Sequence, residues 1–334
     1  MRRYSPWRIS LKIDIVIPIY NEQENLPELF NRLREVFDRL GTTDFQVICV
    51  NDGSTDRSME MMLDQCEQDS RFSVISLSRN FGHQAAISAG LASATDDAVI
   101  LMDGDLQDPP ELIPDLLKYW QDGAQVVRAE RRSRKETGLR RVGFELFHSL
   151  FGWISDFPIP AQTGIFGLMD KKAVCELNRF TEKNRFFPGL RTWIGFREAV
   201  LHYDRQDRAA GEPKQSLKRL VKYALDAIFS FSYKPLKVMT AAGIVISGAG
   251  FILACMFIIR RLSGIEVAQT GFTTLVTLVL FLGGVQLIAI GLIGEYLARI
   301  YDEVKQRPLY IVNDRFGRQM EERRDDEFSF RPNR

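Results

Sequence analysis

Three polar clusters in this 334-residue chain each follow directly on an apolar run: PIYNE (18–22), VNDGSTD (50–56) and MDGDLQD (102–108). In the last, one glycine separates Asp103 from Asp105, and Asp108, Glu111 and Asp115 follow. Carboxylates at strand ends commonly cap the next helix, and Asp108, Ser54 or Thr55 need do no more than that. Capping does not account for the Asp-Gly-Asp pair. Two carboxylates two residues apart on a flexible turn offer hard oxygen ligands, the kind that Mg²⁺ and Mn²⁺ take alongside water and phosphate oxygens. A bare D-x-D is common, and its weight here comes from its place after a buried strand, on the same edge as the other two clusters. No G-x-G-x-x-G follows a strand and no G-x-x-x-x-G-K-[ST] occurs, so dinucleotide-fold and P-loop chemistry lack their fingerprints. A nucleoside diphosphate held through a metal remains open.

Such loops need a rigid edge to stand on. IDIVIPIY (13–20), FQVICV (45–50), FSVISLS (72–78) and DAVILMD (97–103) are short runs, rich in β-branched residues, that read as strands. Helical patterns alternate with them. The first is capped by Asn25, carries Pro27 in its first turn and places Leu26, Leu29, Phe30, Leu33, Phe37 and Leu40 on one stripe. Ser58–Cys66, a stretch near 84–94, and Asp108–Gln121 with Pro109 and Pro110 at its start continue the alternation, and AQVVRA (124–129) is a further strand. Gly164–Asp170 and Glu198–Asp204 are candidates to extend the sheet. Repeated β-α-β units predict an α/β fold with a mostly parallel, Rossmann-like sheet covered on both faces, binding ligands at the carboxyl ends of its strands.

Lysine and arginine (44) balance aspartate and glutamate (43), which argues against wholesale nucleic-acid binding. The four scattered cysteines form no CxxC pair, so neither a disulfide framework nor a zinc site is expected. The N-terminus has no apolar core before a small-residue cleavage site, so no secretory leader is expected. Residues 238–259 and 272–294 contain no charge at all. Each is long enough to cross a hydrocarbon core of about 30 Å at about 1.5 Å per residue, and a soluble helix rarely lacks a polar face over such a length. They read as two transmembrane helices. Lys234 and Lys237 before them, and Arg299, Lys305 and Arg307 after them, place both termini in the cytoplasm. From Leu217 to Phe229 apolar residues share one helical stripe, as in an amphipathic helix lying in the interface; a helix packed on the soluble domain is the alternative. Past Pro308 the charged tail is expected to be poorly ordered. The organisation expected is thus a catalytic domain (1–210), a juxtamembrane amphipathic region (211–235), two transmembrane helices (236–300) and a cytoplasmic tail (301–334).

PIYNEQENL, VNDGSTDRS, LSRNFGHQAAISAGL, MDGDLQDPPELIP, RAAGEPK (208–214) and GEYLARIYDEVKQRPLYIV (294–312) together resemble the polyisoprenyl-phosphate glycosyltransferases. These belong to glycosyltransferase family 2 and include dolichyl-phosphate mannose synthase and bacterial GtrB-like enzymes. The resemblance covers nearly the whole chain. It implies a GT-A catalytic domain, Mg²⁺ or Mn²⁺, a nucleotide-sugar donor and a polyprenyl-phosphate acceptor, with inversion at the sugar. Carried onto matching positions, Pro18, Tyr20, Asn21, Glu22 and Asp52 would line the base and ribose pocket. Asp103 would sit beside ribose and diphosphate, Asp105 and Gln107 would hold the metal, and Arg131, Arg205, Arg208 and Lys214 would face phosphates. Its GtrB-like half points to UDP-glucose and undecaprenyl phosphate at the bacterial inner membrane, among membrane lipids and as a homo-tetramer. GDP-mannose, UDP-N-acetylhexosamine and aminoarabinose donors stay open.

At one candidate catalytic position the chain departs from that pattern. Within PAQTGIFGLMD (160–170), Gln162 stands where relatives carry an Asp of a D-T-G-D-F-R-like segment, and Ile165 and Gly167 differ as well. A glutamine cannot accept a proton. A phosphate monoester, with a second pKa of about 6, is already largely dianionic and needs orienting more than deprotonating. Gln162 is either a substitution that weakens the enzyme or natural to its subgroup. Two other readings compete. A processive polysaccharide synthase would carry Q-x-x-R-W, which GLRTWIGF (189–196) lacks, and a non-catalytic membrane scaffold would have no use for three aligned polar motifs.

Overall fold

The computed structural model describes residues 11–41, 43–131, 163–203, 234–263 and 271–317. They fall into two units. One holds the described residues up to 203 and again from 308; the other is the stretch 234–307.

The first unit is an eight-stranded mixed sheet in the order β7-β5-β6-β4-β1-β2-β3-β8. Strands β1 (Lys12–Ile19), β2 (Asp44–Asn51), β3 (Phe72–Leu77) and β4 (Ala98–Leu101) form its parallel centre. β1 and β2 are buried at every position but their first, as a strand covered on both faces must be. Helices α1 (Leu26–Leu40), α2 (Ser58–Gln68) and α3 (His83–Ser93) are the crossovers. α1 buries Leu26, Leu29, Phe30, Leu33, Val36 and Phe37, the expected stripe with Val36 added in place of Leu40. α3 is made of small residues for a reason: a Cβ at Gly90 would lie 2.2 Å from Val16 Cγ1 of β1. That contact lets the helix axis approach the sheet closely.

After β4 the chain makes a single 3₁₀ turn (Pro110–Leu112), then α4 (Ile113–Gln121) and β5 (Val126–Arg131). β6 (Thr163–Asp170) is antiparallel to both β4 and β5; α5 (Lys171–Asn178), α6 (Phe187–Trp193) and β7 (Glu198–Tyr203), parallel to β5, complete this wing. The described start of the tail departs from expectation, while residues 318–334 lie outside the described residues. Val312–Phe316 is not irregular: it forms β8, antiparallel to β3, and closes that edge of the sheet. Its pairing partner lies far back in the chain, which is why local composition concealed it.

The second unit consists of α7 (Lys234–Leu262) and α8 (Phe272–Val304), both longer than the uncharged runs that announced them. Leu236–Leu253 and Thr277–Val304 within them are long and apolar enough to cross a membrane. Ile244, Phe251, Leu278 and Leu287 expose large apolar side chains along both helices, a surface suited to lipid rather than water. The expected amphipathic helix at 217–229 lies outside the described residues.

Candidate active site

The three motif loops leave the carboxyl ends of β1, β2 and β4, and each contains a residue in the left-handed region: Asn21 (φ 55°), Gly53 (φ 66°) and Leu106 (φ 60°). For the two non-glycines this conformation costs on the order of 1–2 kcal/mol apiece, a strain that persists only where surrounding bonds hold it. At Gly53 even an alanine is excluded, since a Cβ would sit 2.6 Å from the backbone of Arg79 and Asn80.

Hydrogen bonds stitch the loops together. Ser54 Oγ accepts from the Asn21 amide (3.1 Å), Asn21 Oδ1 accepts from the Thr55 amide (2.8 Å), and Ser58 Oγ accepts from the Glu22 amide (2.9 Å). Ser54 and Thr55 therefore clasp the neighbouring loop rather than cap α2, whose first amide, at Ser58, donates instead to Asp56 Oδ1 (3.0 Å). Nor does Asn25 cap α1; its Nδ2 donates to Glu22 Oε2 at 2.6 Å and fixes that carboxylate. Asp52, only 3% exposed, accepts from the amides of Phe81 (2.7 Å) and Gly82 (2.9 Å), which anchors the loop between β3 and α3. Burial raises the Asp52 carboxyl above its usual range, and the two amides with His83 and Arg79 pull it back only in part.

A cleft of about 380 Å³ opens between these loops, lined by Pro18, Tyr20, Glu22, Asp52, Asp103 and Asp105, with Asn80, Gly82 and His83 among the rest. Six sequence-predicted site residues are thus brought together. Asn21 Oδ1 takes part in the loop clasp, and Gln107 is 94% buried behind the lining, its backbone N–H donating to Asp105 Oδ1 (3.1 Å). Arg131 ends β5, and Gln162, Arg205, Arg208 and Lys214 lie outside the described residues.

Sequence reasoning gave no role to His83, the first residue of α3. Its Nε2 lies 2.9 Å from Asp103 Oδ1 while the side chain stays 46% exposed. Burial pushes the imidazole down, but the Asp103 hydrogen bond and the charges of Asp103, Asp52 and Asp105 outweigh it and leave the group above its ordinary value. The signal was present in the sequence: a histidine directly after a strand–loop–glycine segment that shares an edge with the other motifs.

Four carboxylates and one imidazole make this cleft strongly acidic. It would repel a diphosphate unless a cation came with it. Among the described residues no group of three or more His, Cys, Asp or Glu side chains is gathered to hold a metal alone. Asp105, at the cleft, offers a hard carboxylate oxygen, which fits Mg²⁺ or Mn²⁺, ions that keep several waters and complete their shell with substrate phosphates.

The sequence matches the model of glycosyl transferase family 2 over residues 14–177 and that of the GtrB C-terminal hairpin over 234–300. An uncharacterized glycosyltransferase of Synechocystis is 44% identical over 92% of this chain and 97% of its own. A prophage bactoprenol glucosyl transferase homolog of Escherichia coli K12 is 38% identical (90% and 98%), and the bactoprenol glucosyl transferase of Shigella phage SfII is 39% identical (90% and 97%).

Proposed function

Because the chain belongs to glycosyl transferase family 2 and carries its GtrB-type hairpin, we propose that this polyprenyl-phosphate glycosyltransferase moves glucose from UDP-glucose to undecaprenyl phosphate, with inversion, at the cytoplasmic face of a bacterial membrane. The observation that carries the reading is the acidic cleft at the strand ends: a nucleotide-sugar enters it only as a complex with a divalent cation.

Tyr20, 46% exposed at the rim, offers a ring face to the base, and the fixed Glu22 carboxylate reaches the ribose side. Asp103, steadied by His83, would stand beside the diphosphate, and Asp105 and Gln107 would hold the cation. When bound, the cation neutralises the charge that grows on the departing nucleoside diphosphate. An acceptor phosphate oxygen attacks the sugar C1 as the C1–O bond to the diphosphate breaks, and that single displacement inverts the centre. Since the acceptor arrives already ionised, Gln162 has only to orient it. Arg131, Arg205, Arg208 and Lys214 supply cations to hold its phosphate.

Sheet topology supports the membrane arrangement. β8 follows the second apolar helix yet pairs with β3, which precedes the first, so the chain enters and leaves the hairpin on one side. Two crossings satisfy this, with the basic flanks on the cytoplasmic side.

A panel of radiolabelled nucleotide-sugars offered with undecaprenyl phosphate tests the reading. Label should pass into the organic phase from UDP-glucose, require added Mg²⁺ or Mn²⁺ and vanish in Asp105→Ala. Transfer that survives chelation and that substitution would overturn the metal-dependent mechanism; preference for another donor would overturn the sugar assignment alone.

A further inference from the structure

We infer that Tyr203 is a positioning residue that ties the loop bearing Asp105 and Gln107 to β7 and, through the pairing of the two strands, to β5, whose last residue is Arg131. Its hydroxyl donates to Asp108 Oδ1 at 2.8 Å, with Asp108 1% and Tyr203 5% exposed. Asp108 is not a helix cap: Pro109 precedes the 3₁₀ turn, and no side chain caps it. It is instead the end post of the loop, next in sequence to Gln107 and two residues past the left-handed Leu106. A loop bent through such a conformation needs a fixed far end, and a buried hydrogen bond to a carboxylate is a strong one.

The other side of the bond leads to the acceptor. Tyr203 is the last residue of β7 and pairs in register with Arg131, the last of β5. Its ring meets Phe166 of β6 edge to face (6.0 Å, 84°), and β6 begins one residue after Gln162. Arg205 is two residues further along the chain. One side chain therefore joins the donor loop to β7, to β5 at Arg131 and to β6 through Phe166. A shift of a fraction of an ångström between these halves would misalign nucleophile and leaving group.

This rests on the glycosyl-transfer reading, and the test keeps the two apart. Tyr203→Phe deletes one oxygen and keeps the ring against Phe166. Titration calorimetry with UDP in the presence of Mn²⁺ should show affinity weakened about tenfold, the typical effect of losing a hydrogen bond to a charged group, while uridine binds as before. kcat should fall by at least as much. Asp108→Asn keeps an acceptor for the hydroxyl and should stay within about threefold of wild type, whereas Asp108→Ala should match Tyr203→Phe, and the double variant should be no worse than Asp108→Ala. Should Tyr203→Phe not fold, the Asn–Ala contrast at 108 decides the same point. Unchanged Mn²⁺·UDP affinity and kcat in Tyr203→Phe, or equal loss in Asp108→Asn and Asp108→Ala, would overturn the positioning role and leave only a structural bond. Wild-type protein that binds no UDP with Mn²⁺ would overturn the glycosyl-transfer reading itself, and this inference with it.

Discussion

Asp52→Asn is the sharpest probe of how the cleft is held. The carboxylate has both oxygens on amides, Phe81 at 2.7 Å and Gly82 at 2.9 Å, in a nearly sealed position. An asparagine keeps one acceptor and turns an NH₂ toward the other amide. The loss is one charge-assisted hydrogen bond, about 1.5–3 kcal/mol, plus a buried N–H left without an acceptor, about 1–3 kcal/mol. Relief of the carboxylate's burial cost, visible in its raised pKa, offsets part of this. A net destabilisation of about 2–4 kcal/mol follows. For a domain of this size that lowers Tm by roughly 5–12 °C. Hydrogen exchange reads the local effect directly: the amides of Phe81 and Gly82 should lose protection, and UDP affinity should fall because Asn80, Gly82 and His83 line the cleft from that loop. A variant with Tm within about 2 °C of wild type and unchanged protection at both amides would refute the claim that Asp52 anchors the loop.

Gly53→Ala places a methyl against the backbone of Arg79 and Asn80 in a left-handed conformation; a loss of about 2–5 kcal/mol is expected in thermal unfolding, with UDP binding lost alongside. Arg32 donates through Nε and Nη2 to Glu111, and that hydrogen bond holds the Glu111 carboxyl below its usual range. A carboxyl with a depressed folded-state pKa stabilises above its unfolded value of about 4.3 and loses that contribution as pH falls through the folded one. The stability gap between wild type and Glu111→Gln, about 0.5 kcal/mol given the half-exposed carboxylate, should therefore close on acidification from neutral pH; a gap independent of pH would contradict it. Gln162→Asp should raise the rate of sugar transfer in a steady-state assay, and an equal or lower rate in folded protein removes an acid from consideration at this position.

The strands that carry the cleft were legible because they are buried on both faces: β4 is an unbroken apolar run, β1 and β2 are interrupted within by only Asp14 and Gln46, and the polar motifs begin at their ends. What each polar residue does once there was less legible. Asn21 and Asp52 were expected as pocket residues and Ser54 as a cap, and only the fold reveals that all three also bond to neighbouring loops. The Asp108–Tyr203 bond links residues 95 apart in the chain, so no local pattern announces it. β8 escaped for the same reason. VNDRF is short and charged, and becomes a strand only because β3 offers an open edge.

That late strand has a consequence for biosynthesis. While the ribosome is still making the two apolar helices, β3 has β2 on one flank and nothing on the other. An open edge of this kind recruits foreign strands. That edge stays open until the chain has been made past both apolar helices, so the sheet of the catalytic unit is completed only by the last of its described strands to leave the ribosome. A chain cut short before Val312 would keep that flank open.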